Sequence, residues 1–323
     1  MNPTTHAQQT NPMNHPVSNK TLLKQGVSSD ARQQVLTLRR EHSLSTVAAM
    51  TGLALGTVKT ICSRSGSFRD NPALRSLFAL PPLQTSTSTA LAVPELPPQH
   101  AQTGDKEIDA VLWLREVIKT GQAALIEKAM LAAQRIKTPL KEVEDRYAKH
   151  LATQNPGNWT MAFQTFGFAD LDGLARRSIA KLTTQHEAIS RFGSMDHLFA
   201  NTPGEQFCIE ALAGLKSKDF ADYNDKQVDQ RFNARPELLP NTLSDCLFEL
   251  AHWHDLYTLR NAVDRDASDP GREAYAREQF VFRSLAHIRP KTKLEAIAVF
   301  RYLADSERMD DEETEGILLN LIG

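Results

Sequence analysis

Apolar residues recur three and four positions apart along most of this chain, the spacing of amphipathic helices. Val35, Leu36 and Leu38 begin the pattern, after Ser29-Asp30, a pair suited to capping a helix over 31–40. Val47, Leu53, Val58 and Ile61 continue it. Val111, Leu114 and Ile118 predict one later helix, and Ile126, Ala129, Met130 and Ala133 another. Leu243, Cys246, Leu247, Leu250, His254 and Tyr257 form a long stripe, with Asn241 or Thr242 as its cap. Leu294, Ile297, Ala298 and Tyr302 form a further stripe, and Ile317, Leu318 and Leu321 predict a short closing helix. Strand-like alternation and Asn-Gly hairpin turns are absent, and no repeat keeps a steady period. The expected fold is therefore all-α.

Breaks in this pattern divide the chain. Residues 1–27 are rich in Thr, Asn, Gln, His and Pro and poor in large apolar side chains, which predicts a disordered arm. A trihelical unit is expected over 28–80. Residues 81–104, PPLQTSTSTALAVPELPPQHAQTG, carry five prolines, a Thr/Ser tract and a single charge, Glu95, and read as an extended linker. Residues 105–323 are long enough for a substantial core and predict an irregular bundle of roughly seven to ten helices.

The segment LSTVAAMTGLALGTVKTICS, residues 44–63, narrows the function. Ala48 is small where two helices must approach. Gly52, four residues on, sits where the chain must turn through positive φ. A helix over about 45–50, a short turn and a second helix over about 55–65 follow. Val58 and Ile61, with Cys62 beside them, would form the buried side of the second helix. Thr57, Lys59, Thr60, Ser63 and Arg64 would form its exposed side.

The arrangement resembles the helix-turn-helix of phage and plasmid repressors and of site-specific recombinases. The stretch from Leu38 to Gly66 also resembles the head of small repressors from the central control operons of broad-host-range plasmids, of the KorC and KlcB kind. The resemblance implies double-stranded DNA as partner and base contacts near Leu55, Gly56, Lys59, Thr60 and Ser63. Lys59 would donate to guanine or phosphate. Thr60 would offer its methyl to thymine or its hydroxyl to a base edge. Gly56 would let the backbone approach a phosphate. Arg39 and Arg40, with His42, end the first helix, where they would meet phosphates or simply favour the helix dipole. No Gln, Asn or Arg stands at the first exposed positions, which departs from the family's pattern of bidentate base readers.

Charge supports the same division. The chain has a net charge of −2, but residues 1–80 hold nine Lys and Arg against three acids, a net of +6, leaving −8 for the rest. A basic head on an acidic body is what phosphate attraction at one end requires. Cys62, Cys208 and Cys246 are widely spaced and predict neither a disulfide framework nor a metal site. No secretory signal or eighteen-residue apolar run occurs, so a cytoplasmic protein is expected, with no membrane contact.

No cofactor, metal or catalytic residue is expected in the body. His252-Trp253-His254-Asp255 is a poor metal cluster, because helix residues two apart face different ways. His254 is expected on the core stripe. Two further readings stay open: a DNA-acting enzyme of recombinase type, and a helical protein-interaction scaffold. The leading expectation is a sequence-specific transcriptional regulator, a repressor, in which 105–323 pairs two copies as a homodimer or binds a protein partner.

Overall fold

A computed structural model of the chain describes residues 27–84, 95–216, 223–266 and 268–322. The arm expected over 1–27 lies, but for Val27, outside the described residues, as does 85–94 of the expected linker. Every regular element among the described residues is helical. None of these helices is by itself long and apolar enough to cross a membrane. The chain divides into two compact units, residues 1–67 and 68–323.

The first unit holds α1 (Ser29–Glu41), α2 (Leu44–Thr51) and α3 (Leu55–Ser65). Its centre is small: Val35, Val47, Val58 and Cys62 are buried. Ser28 caps α1, one position ahead of the predicted pair, and Asp30 falls in the first turn, where its charge suits the helix dipole.

The second unit begins with α4 (Pro72–Leu77), followed by α5 (Lys106–Lys119), α6 (Ala123–Ala133), α7 (Leu140–Gln154) and α8 (Leu171–Phe192). Then come α9 (Met195–Phe199), α10 (Pro203–Leu212), α11 (Asp225–Asn233), α12 (Leu243–Val263), α13 (Arg272–Ser284), α14 (Lys293–Asp305) and α15 (Thr314–Ile322). Residues 105–323 hold eleven of these α-helices among the described residues, one above the expected range; α9 and, before them all, α4 are short. Side-chain caps define them: Asn71 accepts from the amides of Ala73 and Leu74, and Ser194 from that of His197.

The predicted boundary at residue 80 is corrected to 67. Leu74 and Phe78 are buried in the core of the second unit. Asn71 donates its side-chain amide to the carbonyls of Glu237 and Leu239, and its backbone amide to Asp245. Apolar residues on so short a helix need a core larger than three small helices supply. The linker is pinned at both described ends. Gln84 exchanges hydrogen bonds with Ser190, and the Trp113 indole donates to the Pro97 carbonyl at 2.8 Å.

Among the described residues two large cores fill the second unit, with a small cluster of Ala188, Leu198 and Leu259 besides. One gathers α5, α6, α7 and the start of α8 around Val111, Leu114, Ile118, Val143 and Phe168. The other gathers α4 and α10 to α15 around Leu250, Phe232, Phe282 and Leu303. The 22-residue α8 runs from Leu171 in the first core to Phe192 beside the second.

At the centre of the second core lies a buried ion pair. The Arg277 guanidinium donates to both Glu249 carboxylate oxygens, at 2.6 and 2.8 Å, and to the Leu238 carbonyl at 2.9 Å. Both side chains are fully buried. Phe78, Phe207, Phe232 and Phe280 surround the guanidinium at 4.9–5.6 Å from their centroids. Removing either ion from water costs several kcal/mol, which bidentate geometry and ring quadrupoles offset. Beside this cluster, His252 packs edge-on against Phe78 at 5.6 Å. Burial pushes its pKa down to about 4, outweighing the pull of Glu205.

Two predicted stripes are corrected. On α12 the buried line after Leu250 runs through Trp253, Leu256 and Leu259, while His254 and Tyr257 are exposed. On α14 the buried residues are Val299 and Leu303, while Leu294 and Ile297 face outward. In both helices a two-sided apolar pattern let more than one stripe be drawn, and the packing neighbours chose between them.

Glu249→Gln leaves Arg277 buried without a counter-charge and is expected to cost about 3–5 kcal/mol. The double change Glu249→Leu with Arg277→Met is expected to cost less than the single change, as read by urea unfolding at neutral pH. His252 is held neutral in the fold, so unfolding takes up a proton below its ordinary pKa. Stability should be constant above pH 6.5 and fall as pH drops from 6.5 towards 4, by about 3 kcal/mol at most. His252→Phe should flatten that window.

Candidate nucleic-acid interface

The first unit positions its side chains through one bend. Ser43 caps α2, accepting from the Thr46 amide at 3.2 Å. Gly52 ends α2 in the left-handed region at φ 66°. Three residues later α3 starts, having turned through 113°. That angle and turn length are those of steeply crossed helix pairs that fit a groove of duplex DNA. Helix α3 spans the predicted residues, Leu55–Ser65, and ends on Gly66 at φ 74°.

At 100° per residue, Val58 and Cys62 share the inward face of α3, and Thr60 lies opposite them. Cys62 is buried and Ile61 half-buried, which exchanges the roles expected for these two. Burial pushes the Cys62 thiol up. Leu55, Lys59 and Ser63 lie on one flank of the exposed face, and Thr57 and Arg64 on the other. All of these are exposed except Thr57, which is half-buried.

The second flank borders a hollow of about 520 Å³ between α1 and α3. Gly56, Thr57, Thr60 and Arg64 line it from α3, and Arg32 and Leu36 from α1. Sequence reasoning missed Arg32. Its spacing to Leu36, one turn apart on α1, was the available signal that it shares that side of the helix. The structure thus brings six of the predicted residues, Leu55, Gly56, Lys59, Thr60, Ser63 and Arg64, to one solvent-facing surface.

Two details limit what the surface can do chemically. The Thr60 hydroxyl donates to the Gly56 carbonyl of its own helix at 2.8 Å, leaving its methyl and its acceptor lone pairs outward. No side chain caps the N-terminus of α3, which begins at Ala54. The Thr57 amide is taken by the Ala54 carbonyl at 2.8 Å, which leaves the amides of Leu55 and Gly56 to water or to an anion.

Arg39 behaves differently from the others. It is half-buried and donates to the His42 carbonyl at 2.9 Å, so it serves the end of α1. The side chain of Arg40 lies outside the described residues.

Elsewhere, the structure separates groups that the sequence places close together. His252 is buried and His254 exposed, on different sides of α12. Among the described residues no three His, Cys, Asp or Glu side chains converge as metal ligands. Cys208 and Cys246 are buried, and burial pushes both thiols up.

Gly52→Ala meets no atom within 4 Å of the added methyl, so its cost is conformational alone. A loss of about 1 kcal/mol in the first unit is expected. Hydrogen exchange of the amides of α1 to α3 in the full chain should report it, with a smaller loss for Gly52→Asn, which tolerates that conformation better.

Comparison with protein-family models, with characterised proteins and with solved structures finds no match to this chain.

Proposed function

We propose that the chain is a sequence-specific DNA-binding regulator whose first unit is a helix-turn-helix that reads the major groove with α3. One observation carries the reading. Two helices meet at 113° across a three-residue turn, and the second turns Lys59, Thr60, Ser63 and Arg64 to solvent while burying Val58 and Cys62. Lys59 and Arg64 supply phosphate or guanine contacts from either side of Thr60. Arg32, across the hollow from Arg64, adds a third cation. Residues 1–67 hold seven Lys and Arg against two acids, and this +5 draws the first unit to a polyanion, while the −7 of the remainder keeps the body off it. Repression, the simplest outcome of occupying an operator, is the regulatory sense we favour.

One such module buries little surface, so useful specificity calls for two. The body provides a face for a second copy of the chain. Leu294, Ile297 and Phe300 stand exposed on the side of α14 away from Val299 and Leu303. Arg289, Lys291 and Lys293 lie at the start of α14, and Asp310, Asp311 and Glu312 just beyond its end. An antiparallel pairing of two α14 helices about a twofold axis sets each basic end against its partner's acidic end.

Selection of bound sequences from random DNA by the full-length protein is expected to enrich a palindrome with half-sites about one helical turn apart. On the selected site, Lys59→Ala and Arg64→Ala should each weaken binding. Each should also flatten the slope of log affinity against log salt by about one unit, with folding unchanged. Unaltered binding by the double variant would exclude α3 as the reading helix.

A further inference from the structure

A cavity of about 700 Å³ opens in the second unit where α12, α13 and the end of α14 meet. That volume suits a small molecule. Its lining is rich in aromatic residues: Trp253 and Tyr257 come from α12, Tyr275 from α13 and Tyr302 from α14. Tyr257 and Tyr275, 42% and 45% exposed, stand at its border.

The charges of the lining are unequal. Arg260 is held by Glu205 and Arg308 by Glu278, both at 2.6 Å. Those pairs balance the charge of both guanidinium groups of the cavity, with Nη1 of Arg308 left without a hydrogen-bond partner. Asp255, Asp305 and Glu307 line the same space and join no ion pair among the described residues. His254 lines it as well. The surplus is three carboxylates beside four aromatic rings.

Glu307 adds a separate observation. It is the one non-glycine residue with positive φ, 57°, among the described residues. It occupies the left-handed position after α14, where the Arg308 amide returns to the Leu303 carbonyl at 2.9 Å. Glycine is the residue that position favours. The chain instead carries a carboxylate there, on the cavity's edge. The same turn delivers Arg308 to Glu278 and to the Phe282 ring, 4.6 Å from its centroid.

We propose that this cavity is a binding site for a lipophilic organic cation, of quaternary-ammonium or phosphonium type. Aromatic rings attract such a cation through their quadrupoles, and desolvation in a hollow strengthens the attraction. The three unpaired carboxylates supply the countercharge that the ion pairs do not. An anion of the same shape meets repulsion, and a neutral molecule leaves the carboxylates unused. The site lies wholly within the second unit and does not depend on the DNA-binding reading.

The test is calorimetric titration of the full-length protein with tetraphenylphosphonium, and with tetraphenylborate as its counterpart of like shape and opposite charge. Saturable one-to-one binding of the phosphonium, with none of the borate, is expected. Asp255→Asn, Asp305→Asn and Glu307→Gln together should weaken phosphonium binding on the order of tenfold. All three positions are exposed, so the fold should persist, as far-ultraviolet circular dichroism would register. Tyr257→Ala with Tyr275→Ala should weaken it as well. Equal binding of borate, no saturable phosphonium binding, or an unaltered affinity in the carboxylate variant would each overturn the proposal.

Discussion

The second unit is organised around one buried charge. Arg277 reaches Glu249 of α12 and the Leu238 carbonyl, within a ring of phenylalanines drawn from α4, α10, α11 and its own α13. An apolar side chain there would tolerate many neighbours and many registers. A guanidinium tolerates few, because each donor left without an acceptor is costly once water is excluded, and here Nε and Nη2 are satisfied while Nη1 has no hydrogen-bond partner. The pair's contribution is therefore better measured by the packings it forbids than by net stability. It also explains why α4, a six-residue helix distant in sequence, belongs to this unit: its Phe78 closes one side of the cage.

A second buried pair works on the same principle nearby. Glu205 accepts from the Thr202 amide to box the start of α10, and it also holds Arg260 of α12. Arg260 in turn donates to the carbonyls of Leu198 and Ala200 at the end of α9. One carboxylate thus fixes a helix start, a neighbouring helix and the chain between them. The body is held by a few such multiply connected polar groups set among apolar contacts that are individually less selective.

What could be read from the sequence follows from how local each cause is. The bounds of α3 were legible because they rest on neighbours in sequence: the turn at Gly52 and the apolar run of Val58, Ile61 and Cys62. The helical class was legible for the same reason. The true inward line of α12 was not, because Trp253 and His254 are both compatible with a helix and only the neighbouring helices separate them. The assignment of residues 68–80 failed on a long-range cause, a hydrogen bond from Asn71 to Asp245 across 174 positions. On the candidate DNA-facing surface, the exposed polar residues of α3 could be foreseen. Arg32 was passed over although its spacing to Leu36 marked its side of α1, because it reaches the hollow from another helix, and the turning of Arg39 back onto its own chain had no signal in the sequence.

The placement of the cysteines gives the molecule an internal clock. Cys62 is buried in the three-helix unit, and Cys208 and Cys246 in the core of the larger one. A buried thiol reacts with an alkylating reagent only when its surroundings open, so its labelling rate records local unfolding. The natural chain therefore carries a separate chemical reporter for each unit. A ligand held by the first unit would slow the labelling of Cys62, and one held by the second unit that of Cys208 and Cys246.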